Sequence, residues 1–240
     1  MKSNFFTKLN RKHRYINLFI KDLKDFYYDT RNMYSDPKIT AALTYFRMNR
    51  KNESEDKIYK KINLENKKYH ERYPHLINTS ILILSFSFFE SNLNDLSALC
   101  QDNSKNKEKD FSKFKVEISK FKNEIEYYSS INLIKLSKIW SEINFYREIR
   151  NCLIHYNGNI NKMKNEKLEI KLKVHESISV KLNGDIHINN IDFILIVLNS
   201  IYLYLENILI ELTKGKIQPL SLITEKELRI KEYEERLAHK

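Results

Sequence analysis

A mainly α-helical fold with a small β-hairpin insert is what this chain of 240 residues predicts, and three observations carry that prediction. Glycine and proline occur only three times each, and helix interiors are where both cost most. Long stretches repeat their apolar residues at three- and four-residue spacing, the helical period. Around residues 166–190 that period gives way to alternation, interrupted by the turn sequence Asn183-Gly184-Asp185.

The elements follow in order. A first helix is expected from about Lys12 to Asp29, with Tyr15, Leu18, Phe19, Leu23, Phe26 and Tyr27 as its apolar face. Ser35 or Asp36 then offers a cap and Pro37 a first-turn residue for further helical stretches up to about Tyr73. Residues 76–100 are apolar almost all round and predict a central core helix. A Lys- and Asn-rich loop leads to a helix carrying Phe111, Phe114, Val116, Ile118 and Phe121, and another runs from about residue 132 to Tyr156. Gly158 is placed to close it in a left-handed conformation.

After that glycine, Leu168, Ile170, Leu172 and Val174 alternate with polar residues, as do Ile178, Val180, Ile186 and Ile188 around the turn. A hairpin or a three-stranded insert is expected between the last two core helices. Residues 191–212 are long and apolar enough to resemble a membrane span. Their polar members Asp192, Asn199 and Glu206 recur every seven residues and share one side, and two carboxylates in a span are rare. A helix buried in a core or subunit interface is the reading, with no membrane involved. Thr224 and Glu227 have the spacing of a capping box for a final charged helix.

Charge is concentrated at the start. Residues 1–72 hold 18 Lys or Arg against 9 Asp or Glu, which is +9 of the formal +11. Such an arm can attract phosphates, although a Lys-rich helical face is also ordinary solvated surface. Cys100 and Cys152 make neither a disulfide framework nor a zinc spacing. With no apolar leader at the N-terminus, the expected setting is reducing and cytoplasmic. His13, His70, His75, His175, His187 and His239 have no Cys or carboxylate at metal-ligand spacing, so no metal is expected. Phosphate-binding glycine loops and the nucleophile elbow of hydrolases are absent, which removes kinase, dinucleotide-enzyme and serine-hydrolase readings.

One segment can do chemistry: Arg147-Glu-Ile-Arg150-Asn151-Cys-Leu-Ile-His155-Tyr-Asn-Gly158. On a helix Arg147, Asn151 and His155 share one face, while Ile149, Cys152, Leu153 and Tyr156 lie mostly on another. Arg150 is about 140° from His155, so a bend, a frayed end or its own length must bring it round. A histidine changes charge near neutrality, and a guanidinium grips a phosphate at two points while staying charged. An asparagine orients either group without adding charge. Those types suit cleavage of RNA, which carries its own nucleophile in the 2′-hydroxyl. They also suit plain helix capping.

Arg150 through His155, RNCLIH, resembles the R-x4-H motif of the HEPN superfamily in its form with Asn directly after the Arg. The trailing glycine, the late helical position and the following β insert are similar too. The resemblance covers roughly residues 74–214, leaving a basic extension (1–72) and a charged C-terminal helix (220–240) without counterparts. It implies a HEPN-like helical bundle and a metal-independent endoribonuclease, without cofactor, that leaves a 2′,3′-cyclic phosphate. It also implies a homodimer whose two motifs form one composite site, used in prokaryotic defence or as a toxin, with an antitoxin or another defence protein as a possible partner. Carried over position by position, Arg150 holds the scissile phosphate, His155 is the acid or base, and Asn151 fixes their geometry. Arg147 is the candidate substrate clamp and Glu90 the candidate orienting carboxylate. The alternatives are an inactive HEPN-type binding module (antitoxin-like, scaffold or nucleotide sensor) and a plain helical interaction protein.

Overall fold

The computed structural model describes residues 2–35, 60, 64, 72–106, 109–175, 178–188 and 192–216. The helices expected between Pro37 and the start of the core, and the C-terminal helix opened by Thr224, lie outside the described residues. Among those described, the chain is mainly helical with one two-stranded antiparallel hairpin. Its elements are α1 (Lys2–Ser35), α2 (Tyr73–Asn103), α3 (Glu117–Ser129), α4 (Ser137–His155), α5 (Ile160–Met163), α6 (Glu166–Lys173), β1 (Ile178–Val180), β2 (Ile186–Ile188) and α7 (Asp192–Thr213).

α7 is the axis of the bundle. Its apolar residues face α1, α2 and α4 at once, which is why they occur all round it. Tyr204 meets Phe89 of α2 at 5.9 Å and Trp140 of α4 at 5.2 Å between ring centres. Phe193 meets Tyr146 edge-on. α2 and α7 both have the length and apolarity to cross a membrane; here much of that apolar surface packs inside the bundle. The polar stripe of α7 does not stay outside. Asp192 is exposed, but Glu206 is buried, with His13 Nε2 of α1 at 3.6 Å and the Tyr202 hydroxyl donating to it.

α1 differs from expectation in length and in phase. It begins ten residues earlier, because Phe5, Phe6 and Leu9 continue the apolar period toward the N-terminus. Its buried seam is Leu9, Ile16, Ile20, Leu23 and Tyr27, while Tyr15, Leu18 and Phe26 are about half exposed or more. Two apolar stripes compete on this helix. The narrower aliphatic one fits against α2 and α7, and the aromatic one lies at the edge, where Phe19 stacks on Phe88 at 4.0 Å. α1 therefore belongs to the same core as α2 and α7, although the sequence places it in an extension.

The insert is smaller than its alternation suggests. β1 and β2 pair in the register Ile178–Ile188, Ser179–His187 and Val180–Ile186. Residues 168–174 are not a strand. They lie in α6 and its C-terminal end, where Leu168 and Leu172, four apart, are buried and Ile170 and Val174 are 65% and 80% exposed. Local chemistry decides this. Asn165 caps the helix by accepting from Leu168 N–H, glutamates occupy the first turn and lysines the last, and Lys173 pairs with Glu169 at 2.8 Å. The third member of the ladder comes instead from the loop after α4, through a bridge between Asn159 and Asp185.

Candidate functional site

α4 carries the motif on its last two turns. Ile143, Tyr146, Ile149, Cys152 and Leu153 are buried and fix which side of the helix faces the core. That leaves Arg147, Arg150 and Asn151 half-buried at the flank and His155 exposed at the final helical position. Tyr156, expected to turn inward, is exposed instead, as is Ile154. The reason is the break in the helix: Tyr156 has left helical geometry, with φ −123° and ψ 15°.

The helix stays regular through Arg150, and the head of Arg150 reaches the neighbouring Asn151. Arg150 Nη1 donates to Asn151 Oδ1 at 3.0 Å. The Nε atoms of Arg147 and Arg150 are both shielded from solvent and have no hydrogen-bond acceptor among the described residues. A buried N–H without an acceptor costs stability, so this flank of α4 carries two uncompensated donors.

The end of the motif is tightly held. Asn157 and Gly158 both take left-handed conformations, φ 51° and 74°. The glycine is thus the second left-handed residue of the cap, and its N–H bonds Cys152 O at 3.0 Å. A Cβ on Gly158 would lie 3.3 Å from Leu153 Cδ2. The Gly158 carbonyl accepts from Ile186 N–H at 2.8 Å, joining the motif to β2. Next to it, Asp185 accepts from Asn159 Nδ2 at 2.9 Å and Asn183 Nδ2 at 2.7 Å. These amides hold the Asp185 carboxyl below the ordinary carboxylate range, the Asn159 bond most strongly. The hairpin is therefore a brace for the helix end.

The same brace brings two histidines that the sequence did not single out. His187 of β2 stacks on His75 of α2 with ring centres 4.9 Å apart. Burial first, then His187 and Lys181, push His75 toward its neutral form, and Asp185 opposes them. Three-dimensional pairing alone reveals this cluster, since 112 residues separate the two rings in sequence. His175 packs on Phe145 and Phe193.

The predicted residues are not all brought together. Arg147, Asn151 and His155 share one flank of α4, and Arg150 is tied to that flank through Asn151. Glu90 stands apart. Its neighbour Phe89 packs against Trp140, near the start of α4, about 22 Å along the helix axis from His155. Among the described residues Glu90 forms no ion pair with either arginine. The other nucleophile within the motif is unsuited to attack, because burial pushes the Cys152 thiol up to about 11.

No family model, no curated protein and no solved structure matches this chain.

Proposed function

We propose that this chain is a homodimeric, metal-independent endoribonuclease of the HEPN type, acting in the cytoplasm as a toxin or in prokaryotic defence. One observation carries the reading: α4 sets Arg147, Arg150 and Asn151 half-buried on its flank, Arg150 Nη1 held by Asn151, and ends on the exposed His155. A phosphodiester brings the negative charge that two guanidiniums favour.

In the reaction, the 2′-oxygen attacks the adjacent phosphorus as its proton passes to a base. The P–O5′ bond breaks and the leaving 5′-oxygen takes a proton from an acid. The products are a 2′,3′-cyclic phosphate and a 5′-hydroxyl. Arg150, held by Asn151, stabilises the charge that builds on the phosphoryl oxygens. His155 performs proton transfer. One histidine cannot be base and acid in a single step, so a second copy supplies the other. The exposed Ile154 and Tyr156 beside His155 offer that copy an apolar surface.

RNA cleavage in EDTA by wild type and His155→Ala, with product ends mapped, tests the proposal. Cutting by wild type alone, leaving 2′,3′-cyclic ends, supports it. Equal cutting by both proteins overturns the site. No cutting by either protein favours a binding module built on the same fold.

A further inference from the structure

A second place on the molecule is built to hold an anion and a planar group together. α1 and the C-terminal half of α2 run side by side and leave an open groove of about 520 Å³, within the roughly 300–1,000 Å³ of small-molecule clefts. Residues 8, 11, 12 and 15 of α1 line one wall at helical spacing, and residues of α2 line the other.

The charges in this groove are unequal in status. Lys12 is committed to an ion pair with Asp95. Lys8 and Arg11 have no acidic partner among the described residues, and Asp102 has no basic one. One turn beyond Arg11 lies the ring of Tyr15, 52% exposed. It is backed by Phe88 at 5.9 Å and Phe19 at 6.4 Å, with the Lys12 ammonium 5.4 Å from its centre. The ring is thus positioned from behind and open in front. Leu99 extends the apolar floor beside it.

We infer that this groove binds one nucleotide unit of single-stranded RNA. The base stacks on Tyr15, and the phosphate meets Arg11 and Lys8 one and two turns away on the same helix. The groove lies far from the motif. Phe88, on which Tyr15 packs, is 13 residues along α2 from His75, which marks the motif end of the bundle, or about 20 Å along the helix. The groove therefore grips RNA away from the bond that is cut. This role rests on the ribonuclease reading for its purpose but not for its chemistry.

The test uses full-length His155→Ala, which leaves RNA intact, and the fluorescence anisotropy of labelled single-stranded oligonucleotides across a salt series. Lys8→Glu with Arg11→Glu weakens binding at least tenfold and lowers the salt slope by about 0.7, the share of one phosphate on a single strand. Tyr15→Ala weakens it about 5- to 150-fold, the worth of one stacked base, with the slope unchanged. Tyr15→Phe restores it. Equal binding by parent and variants of unchanged circular dichroism, or no binding by the parent, overturns the groove assignment. If the groove variants lose binding while the wild-type chain cuts nothing, the groove stands and the ribonuclease reading falls. If wild-type chain cuts and the groove changes leave KM untouched, the reverse holds.

Discussion

α7 and α4 are neighbours of similar length and opposite use. α7 buries thirteen of its 22 residues, including a glutamate, and leaves one stripe, Asp192, Ile196, Leu203 and Glu211, exposed. α4 buries five of 19 and sets arginines, an asparagine and a histidine along its free flank. A helix enclosed over most of its circumference contributes to stability through its area removed from water. A helix enclosed on one side has positions left over, and polar residues held there without partners are available for chemistry. The comparison predicts that changes on α7 are read in the melting temperature and changes on the α4 flank in activity.

The largest effect expected is His155→Ala, with RNA cleavage lowered by about 10²–10⁴-fold, the usual worth of a general acid or base. Its thermal midpoint stays within error of wild type, because the imidazole is exposed. The counterpart on α7 is Leu205→Ala, a fully buried side chain. It costs about 2–5 kcal/mol of unfolding free energy in denaturant titration, and at temperatures well below its lowered midpoint the folded fraction retains wild-type kcat. A destabilised His155→Ala, or a stable but inactive Leu205→Ala, breaks the division between the two helices.

Gly158→Ala sharpens it, because it acts at the junction of α4 and the hairpin. A left-handed φ in a residue with a Cβ costs about 1–2 kcal/mol, and Leu153 must also shift a few tenths of an ångström. The expected loss is of that size in stability, accompanied by reduced cleavage as the brace on the motif loosens. Gly158→Asn, whose side chain tolerates the conformation better, recovers part of both.

The smallest effect is a pH dependence at the brace. His75 is held toward neutrality in the folded state, by burial first. Above pH 6.5 both folded and unfolded chains carry it neutral, and its contribution is fully present. As pH falls through 6.5 toward the lower folded value, the unfolded state binds the proton first and stability is lost. Denaturant midpoints between pH 8 and 5 fall for the wild type, and fall less for His75→Gln. An unchanged slope in the variant removes His75 from this account.

The helical class, the hairpin at Asn183–Asp185, the core helices α2 and α7 and the polar flank of α4 were legible because each depends on spacing within a few residues. The strand expected over residues 168–174 fails for the same kind of reason read incompletely. Alternation fits a strand, yet Leu168 and Leu172 also fit one helical face, and the Asn165 cap with its charge order selects the helix. On α1 two apolar stripes satisfy the helical period equally, so periodicity alone does not choose which is buried.

By itself the sequence determined the secondary structure class and the set of residues that α4 can present, because both follow from local periodicity and the scarcity of glycine and proline. Tertiary structure alone decided three other matters. It assigned α1 to the core, set Glu90 apart from the motif, and joined His75, His187 and Asp185 into a brace at its end. Each depends on where segments distant in sequence come to lie. That placement is set by how whole faces pack to bury apolar area, and no local pattern records it.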